Sequence, residues 1–526
     1  MDVRIAPPPA PVARPLRVVA VGDSLTAGTQ DSTTVENRQE MSYMAQLSRA
    51  VGFPFHMACV SEGGIGPRLF QQGEFNYGHA RQRDENIRQA VRPLEQQLQH
   101  GQIPDDLTAV WNIAGMGRRT DDSLDRPFHR QGNFAVPGYE ARHLGGIRHY
   151  DEYLMQMRDG VEATGLAGEV PLVRNLLQNG TDETRGSALD QAVDRQPDLT
   201  VVWAGNNDAL ETVGHGRVDD RLLTPIEDRV WTYLERDPAN GQWVQKSTAY
   251  PVQGFRTTFL GPNGILPRLL RETDSEVLLL TVPDVASISV LRPLGEKVGD
   301  LPYRVTLPDG SDVTAMVENW VLPDAVDGPG QDGRTSFPPG SKVSMGVVLN
   351  RFIQQGLRTP EQLRAALDAT SARGFREDEV LDAQELATIS GRIQEYNQVI
   401  AEGAALDRRI HLVDMHREFN AMLGGRELRG EGPPVTLGGY FTGAVDGHGR
   451  EGLFSYDGVH PSDTGHAVIA NILLDKVREE LAWHPRFQPF VRAQPIDEKA
   501  VLANDPHHTG DAIQVSPSSR RSSNSS

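Results

Sequence analysis

Val18-Val19-Ala20-Val21-Gly22-Asp23-Ser24-Leu25-Thr26-Ala27-Gly28 is an apolar run that ends in a glycine and turns polar. Such a run reads as a strand buried on both faces, as strands of parallel sheets are. In an open α/β sheet, ligands bind outside the carboxyl ends of the strands. A serine at that edge faces a crevice and is held by a rigid element, which is where a nucleophile is useful. Working outward, the runs Leu16–Val21, Leu107–Ile113, Leu199–Trp203, Val277–Val282 and Ile410–Val413 all have this character. Amphipathic stretches lie between or after them. Met41–Val51 carries Met44, Leu47 and Val51 on one face and is stopped by Gly52; Leu381–Ala405 repeats apolar residues every three or four positions. Ser462–Leu481 has an apolar stripe, with Ser462 or Asp463 as its cap. Strands alternating with helices predict a parallel sheet with helical crossovers.

The intervals between these strands far exceed the ~30 residues a crossover needs. The chain of 526 residues therefore reads as one α/β domain over 16–484 with insertions at about 52–105, 120–198, 212–275 and 290–380. The last of these has turns such as Pro308-Asp309-Gly310 and is expected to hold a hairpin. A proline-rich lead (1–15) and a polar tail (485–526) are expected to be flexible and disordered, respectively. No apolar string approaches the ~20 residues of a membrane-spanning helix. A net charge of −19, from 52 basic and 71 acidic residues, argues against a dedicated nucleic-acid binder. A single cysteine, Cys59, excludes a disulfide framework and thiolate-rich metal sites. No signal peptide is evident at the start, and localisation and oligomeric state are left open.

A serine hydroxyl needs a base. Asp457-Gly458-Val459-His460-Pro461 supplies one, just before the last long helix. A three-residue spacing in a turn can place the carboxylate on one imidazole nitrogen and leave the other free to take the serine proton. The same spacing recurs at Asp505–His508 and is set aside, because nothing in the tail pattern would hold it. Val201-Val202-Trp203-Ala204-Gly205-Asn206-Asn207-Asp208 is another strand-to-glycine edge, whose asparagine amide can donate to a developing oxyanion. Val110-Trp111-Asn112-Ile113-Ala114-Gly115-Met116-Gly117 offers a glycine N–H for the same purpose. A rival loop, Gly63-Gly64-Ile65-Gly66, follows the apolar stretch Phe53–Val60. Asp446-Gly447-His448 and Asp414-Met415-His416 lack metal-ligand spacing, and there is neither a nucleotide P-loop nor a Gly-x-Ser-x-Gly elbow.

Gly22-Asp23-Ser24-Leu25, Asn112 to Gly117, Gly205-Asn206-Asn207-Asp208 and Asp457-Gly458-Val459-His460-Pro461 occur in one order along the chain. In that order they resemble the four blocks of the SGNH, or GDSL-type, hydrolase family. The resemblance implies a flavodoxin-like three-layer α/β core with long insertions, no cofactor, and a small-molecule or lipid ester as substrate. It implies Ser24 as acylated nucleophile, His460 as general base and Asp457 as its orienting partner. The Ser24 and Gly117 amides and the Asn207 side chain would form the oxyanion hole; Asn207 rather than Asn206 matches the family residue, because it precedes Asp208. The Gly63–Gly66 loop remains the alternative source of the glycine amide. Carboxylic-ester hydrolysis is the reading. Carbohydrate deacetylation or phospholipid cleavage by the same triad, and an inactive binding module on the same fold, are the alternatives.

Overall fold

The computed structural model describes residues 14–71, 73–119, 131–163, 165–236, 242–328, 333–443 and 449–509. Its centre is a four-stranded parallel sheet: β1 (Val18–Gly22), β2 (Leu199–Trp203), β3 (Glu276–Leu280) and β4 (Ile410–Val413), side by side in that order. Val18 pairs with Leu199, Val201 with Leu278 and Val277 with Ile410. Every residue of β1 and β2 is buried, as a sheet with both faces covered requires. Helices Tyr43–Val51, Met415–Gly424 and Asp463–Leu481 cover one face, where Tyr43 and Phe419 meet the edge of Trp203. Helices Phe255–Leu260, Ile265–Glu272 and Ala383–Ala404 cover the other, where Phe255 stacks on Tyr396. The fold is the expected three-layer α/β core carrying long insertions.

The run Leu107–Ile113 is not a strand. Thr108–Trp111 forms one helical turn, and the place beside β1 is taken by residues 131–136. There Ala20 N donates to Gly132 O (2.8 Å), Phe134 N to Ala20 O (2.9 Å) and Val136 N to Gly22 O (3.1 Å). The chain thus leaves β1 toward this edge and returns on the other side to make β2. The direction of winding reverses between β1 and β2, and the crevice at such a switch point is where open α/β sheets bind ligands.

The insertions and ends depart from expectation in places. A long antiparallel hairpin, which the sequence reading did not place, lies at Arg229–Arg236 and Trp243–Val252, inside the 212–275 insertion. The hairpin expected around the Pro308-Asp309-Gly310 turn is present as a short one, with Thr306 bridged to Asp312 and Val313 N donating to Val305 O. Arg14, in the proline-rich lead, is tied to Asp198 at 2.7 Å. Residues 485–509 hold several short helices, of which Gln488–Arg492 and Glu498–Asn504 pack on the last long helix. The ordered domain therefore runs past 484. The expectation for 510–526, like the histidine at 448, lies outside the described residues. No helix among the described residues is long and apolar enough to cross a membrane.

Candidate active site

β1 ends in Gly22, where a Cβ would come within 2.3 Å of Trp203 O. The next residue, Asp23, caps the short helix Ser24–Ala27 by accepting from Leu25 N at 3.0 Å. Ser24 is the first helical residue, and its N–H and hydroxyl make no hydrogen bond among the described residues. An unpaired N–H at a helix start is an anion donor. Across the switch point, β2 is followed by Ala204 and Gly205, whose φ of 106° and contact with Phe255 require glycine. Asn206 Nδ2 then donates to Asp23 Oδ2 at 2.8 Å and ties the two strand ends together. Asn207 donates one Nδ2 hydrogen to Tyr139 O at 3.0 Å, leaving its second hydrogen. Burial pushes the Asp23 carboxyl up to about 6, against the pull of Asn206, the Leu25 amide and the charge of His460.

Asp457 and His460 follow strand β5 (Glu451–Phe454) in a turn closed by Gly458 N to Ser455 O (3.0 Å) and Ser455 N to His460 O (2.8 Å). Gly458 has φ of 68° and a Cβ there would meet Val290 N at 2.8 Å. Asp457 Oδ2 accepts from His460 Nδ1 at 2.7 Å and from Ser32 N at 2.5 Å. Its Oδ1 accepts from Val459 N (2.8 Å), His460 N (2.9 Å) and the Ser455 hydroxyl (3.2 Å). Burial works against ionisation of Asp457, but the His460 charge and these donors outweigh it and hold the carboxyl far below its usual range. Burial likewise opposes a charged His460; Asp457, with Asp23 and Asp31, reverses that and raises its pKa. His460 Nε2 has no hydrogen bond among the described residues.

The structure thus brings Asp457 onto His460, and residues 29–34 link that pair to the Ser24 helix, with Ser32 N on Asp457 and Thr29 N on Ser24 O. Thr29 N continues the Ser24 helix by donating to Ser24 O at 3.0 Å, and Gln30 Nε2 reaches Asp463 Oδ1 at 2.8 Å. Ser24 and His460 are not hydrogen-bonded here, and catalytic contacts in free enzymes commonly close only with substrate.

Gly117 is placed differently from the expectation. Its amide donates to Gly64 O at 2.8 Å, and Ser61 and Arg118 exchange bonds beside it. The two rival glycine loops are therefore one packed unit. Gly63–Gly66 faces the 32–34 segment, where Thr34 and Ile65 exchange both backbone bonds (2.9 and 3.0 Å). The Gly63 amide is unpaired among the described residues.

Sequence reasoning passed over Asp31, Ser32, Ser455 and His507. Only Ser455 had a signal, its place next to the Asp457 block. A buried group of Glu140, His143 and Glu162 has donor atoms close enough for a metal. Arg142 fills that space, pairing with Glu140 at 2.7 Å and also with Glu162. Beside it, Ala141 N holds Asp208 at 2.8 Å, so the group buttresses the segment on which Asn207 leans.

Residues 18–276 match the GDSL-like lipase/acylhydrolase family. The chain carries this family's hydrolase domain. The match spans Ser24 and Asn207 and stops before Asp457. No curated protein and no solved structure gives a match. Family membership supplies the coarse activity, a hydrolase that acts on esters.

Proposed function

We propose that this GDSL-like domain is a carboxylic-ester hydrolase working through a Ser24–His460–Asp457 triad and an acyl-enzyme. The observation that carries the reading is the pairing of Asp457 with His460 Nδ1 while Nε2 makes no hydrogen bond among the described residues. An ionised Asp457 must accept from Nδ1–H, so the Nε2 lone pair is the one available to the serine proton. Ser24 Oγ attacks the carbonyl carbon as His460 takes the proton, and His460 returns it to the departing alcohol. Water then repeats the sequence, releases the acid and restores Ser24. The oxyanion is held by the Ser24 N–H and the second Asn207 Nδ2 hydrogen. Because the Gly117 amide is spent on Gly64, the free Gly63 amide is the better third donor.

A cavity of about 240 Å³ adjoins Asp457 and Ser32 and is lined by Leu210, Val213, Tyr303, Leu349, Phe441 and Val459 among others. It is smaller than the ~300–1,000 Å³ of pockets for drug-sized ligands. Its wall is apolar and its nearest triad member is Asp457, with Ser24, His460 and Asn207 outside its lining; as the apolar space adjoining the triad it suits a short acyl chain better than a sugar. The test is hydrolysis of p-nitrophenyl butyrate by wild type and Ser24→Ala. The substitution should abolish measurable turnover; equal rates would eliminate Ser24 as nucleophile.

A further inference from the structure

Behind the Asp457–His460 turn lies a second buried histidine with carboxylate partners, contributed by the segment expected to be disordered. His507 Nδ1 lies 2.9 Å from Asp505 Oδ1, and Nε2 lies 2.9 Å from Asp31 Oδ1. Both carboxylates are fixed by other donors. Asp505 Oδ2 accepts from Thr464 N (2.9 Å) and its hydroxyl (2.8 Å); Asp31 accepts from Tyr456 N (2.9 Å) and pairs with Arg38 at 3.1 Å. A ring nitrogen facing an ionised carboxylate must donate, so His507 is the doubly protonated imidazolium. Asp31 and Asp505 against Arg38 and His507 make a neutral set of four buried charges.

That set grips a strained turn. Asp31 and Ser32 are consecutive non-glycine residues with φ of 54° and 55°. Such conformations persist where the surroundings over-determine them, and they cluster at functional sites. The turn reaches the triad carboxylate by two routes. Ser32 N–H donates to Asp457 Oδ2 directly, and Asp31 N–H donates to the Ser455 hydroxyl (3.1 Å), which donates to Asp457 Oδ1. His507 also packs its ring on Tyr456, and a side chain at Gly443 would strike His507 O at 2.0 Å.

We propose that His507 is a positioning residue for ester hydrolysis: by clamping Asp31 it holds the 31–32 turn that aims Asp457, and through it His460. The C-terminal segment is thereby a working part of the active site. This inference rests on the triad reading, so wild type is first labelled with a fluorophosphonate. Failure to label Ser24 removes the triad reading and this inference with it.

With labelling established, turnover per titrated site is compared for wild type, His507→Ala and, should that variant not fold, Asp505→Asn. The expected result for His507→Ala is a kcat lower by about tenfold or more with KM within about twofold. The acid limb of kcat/KM should move to lower pH, because an Asp457 no longer aimed at His460 raises its pKa less. Loss of the His507 cation works against this shift, but its contacts are to Asp31 and Asp505 and not to His460; the charged and titratable groups facing His460 and the cluster are Asp457, Asp23, His466, Asp31, Arg38, Asp505 and Asp463. Asp505→Asn should shift both readouts in the same direction and less. Global destabilisation would lower the number of titratable sites and leave kcat per site and the acid limb unmoved. Wild-type kcat per site with an unmoved limb, in whichever variant folds, overturns the proposal.

Discussion

The two aspartate–histidine pairs are built from similar strings and do opposite things. In the Asp457–His460 turn, one nitrogen meets a carboxylate and the other is unoccupied. In the Asp505–His507 turn, both nitrogens meet carboxylates and the ring is fully buried. On the proposed reading the first arrangement serves as a base, because a lone pair is left over, and the second as a fixed cation, because none is. What separates them is the second carboxylate, Asp31, supplied by the loop after the Ser24 helix. Spacing along the chain therefore does not decide whether a histidine is a base.

The contrast can be broken most forcefully by removing each pair's function in turn. His460→Ala and Asp457→Asn should each lower kcat by about 10⁴-fold, while the protein keeps its fold by circular dichroism. A loss no larger than that of His507→Ala would erase the distinction. Asn207→Ala should lower kcat by about a hundredfold or more, read from steady-state kinetics with p-nitrophenyl butyrate. Full turnover would remove Asn207 from the oxyanion site.

Stability sharpens the comparison further. Burial opposes a charged His507, but Asp31 and Asp505 raise its pKa to about 9, above the ~6.5 of an unfolded histidine. A raised pKa means its contribution is complete below pH ~6.5 and is lost as pH rises through about 9. The gap in urea-unfolding free energy between wild type and His507→Gln should be on the order of 3 kcal/mol at pH 6 and should shrink toward pH 10. A gap that grows with pH would contradict an imidazolium. The smallest effect is on substrate choice. Leu349→Trp, which fills the cavity, should lower kcat/KM for p-nitrophenyl hexanoate more than for the acetate, by severalfold, in an acyl-length series.

The sheet was legible where burial is written as unbroken apolar runs, as in Val18–Val21 and Leu199–Trp203. Leu107–Ile113 misled because Leu107 and Val110, one helical turn apart, are its buried residues along with Ile113, while Trp111 is only half-buried. The edge place beside β1 went to 131–136, whose apolar run, Phe134-Ala135-Val136, is too short to advertise a strand. Ser24, Asn207, Asp457 and His460 could be proposed from the sequence because each sits in a short local block. The glycine amide was not, since which of two loops has a free N–H depends on how they pack together. The 485–509 segment was hidden for a different reason: it is anchored by Asp505 and His507, which are polar residues with buried partners more than 400 positions away in the case of Asp31. Periodicity reads apolar burial and is blind to such pairs.

The central claim is that Ser24 becomes acylated with His460 as its base. Intact-protein and peptide mass spectrometry after fluorophosphonate treatment tests it directly. One adduct on Ser24 in wild type, strongly slowed in His460→Ala, is the predicted result. An adduct on another residue, or none while ester hydrolysis proceeds, would contradict it.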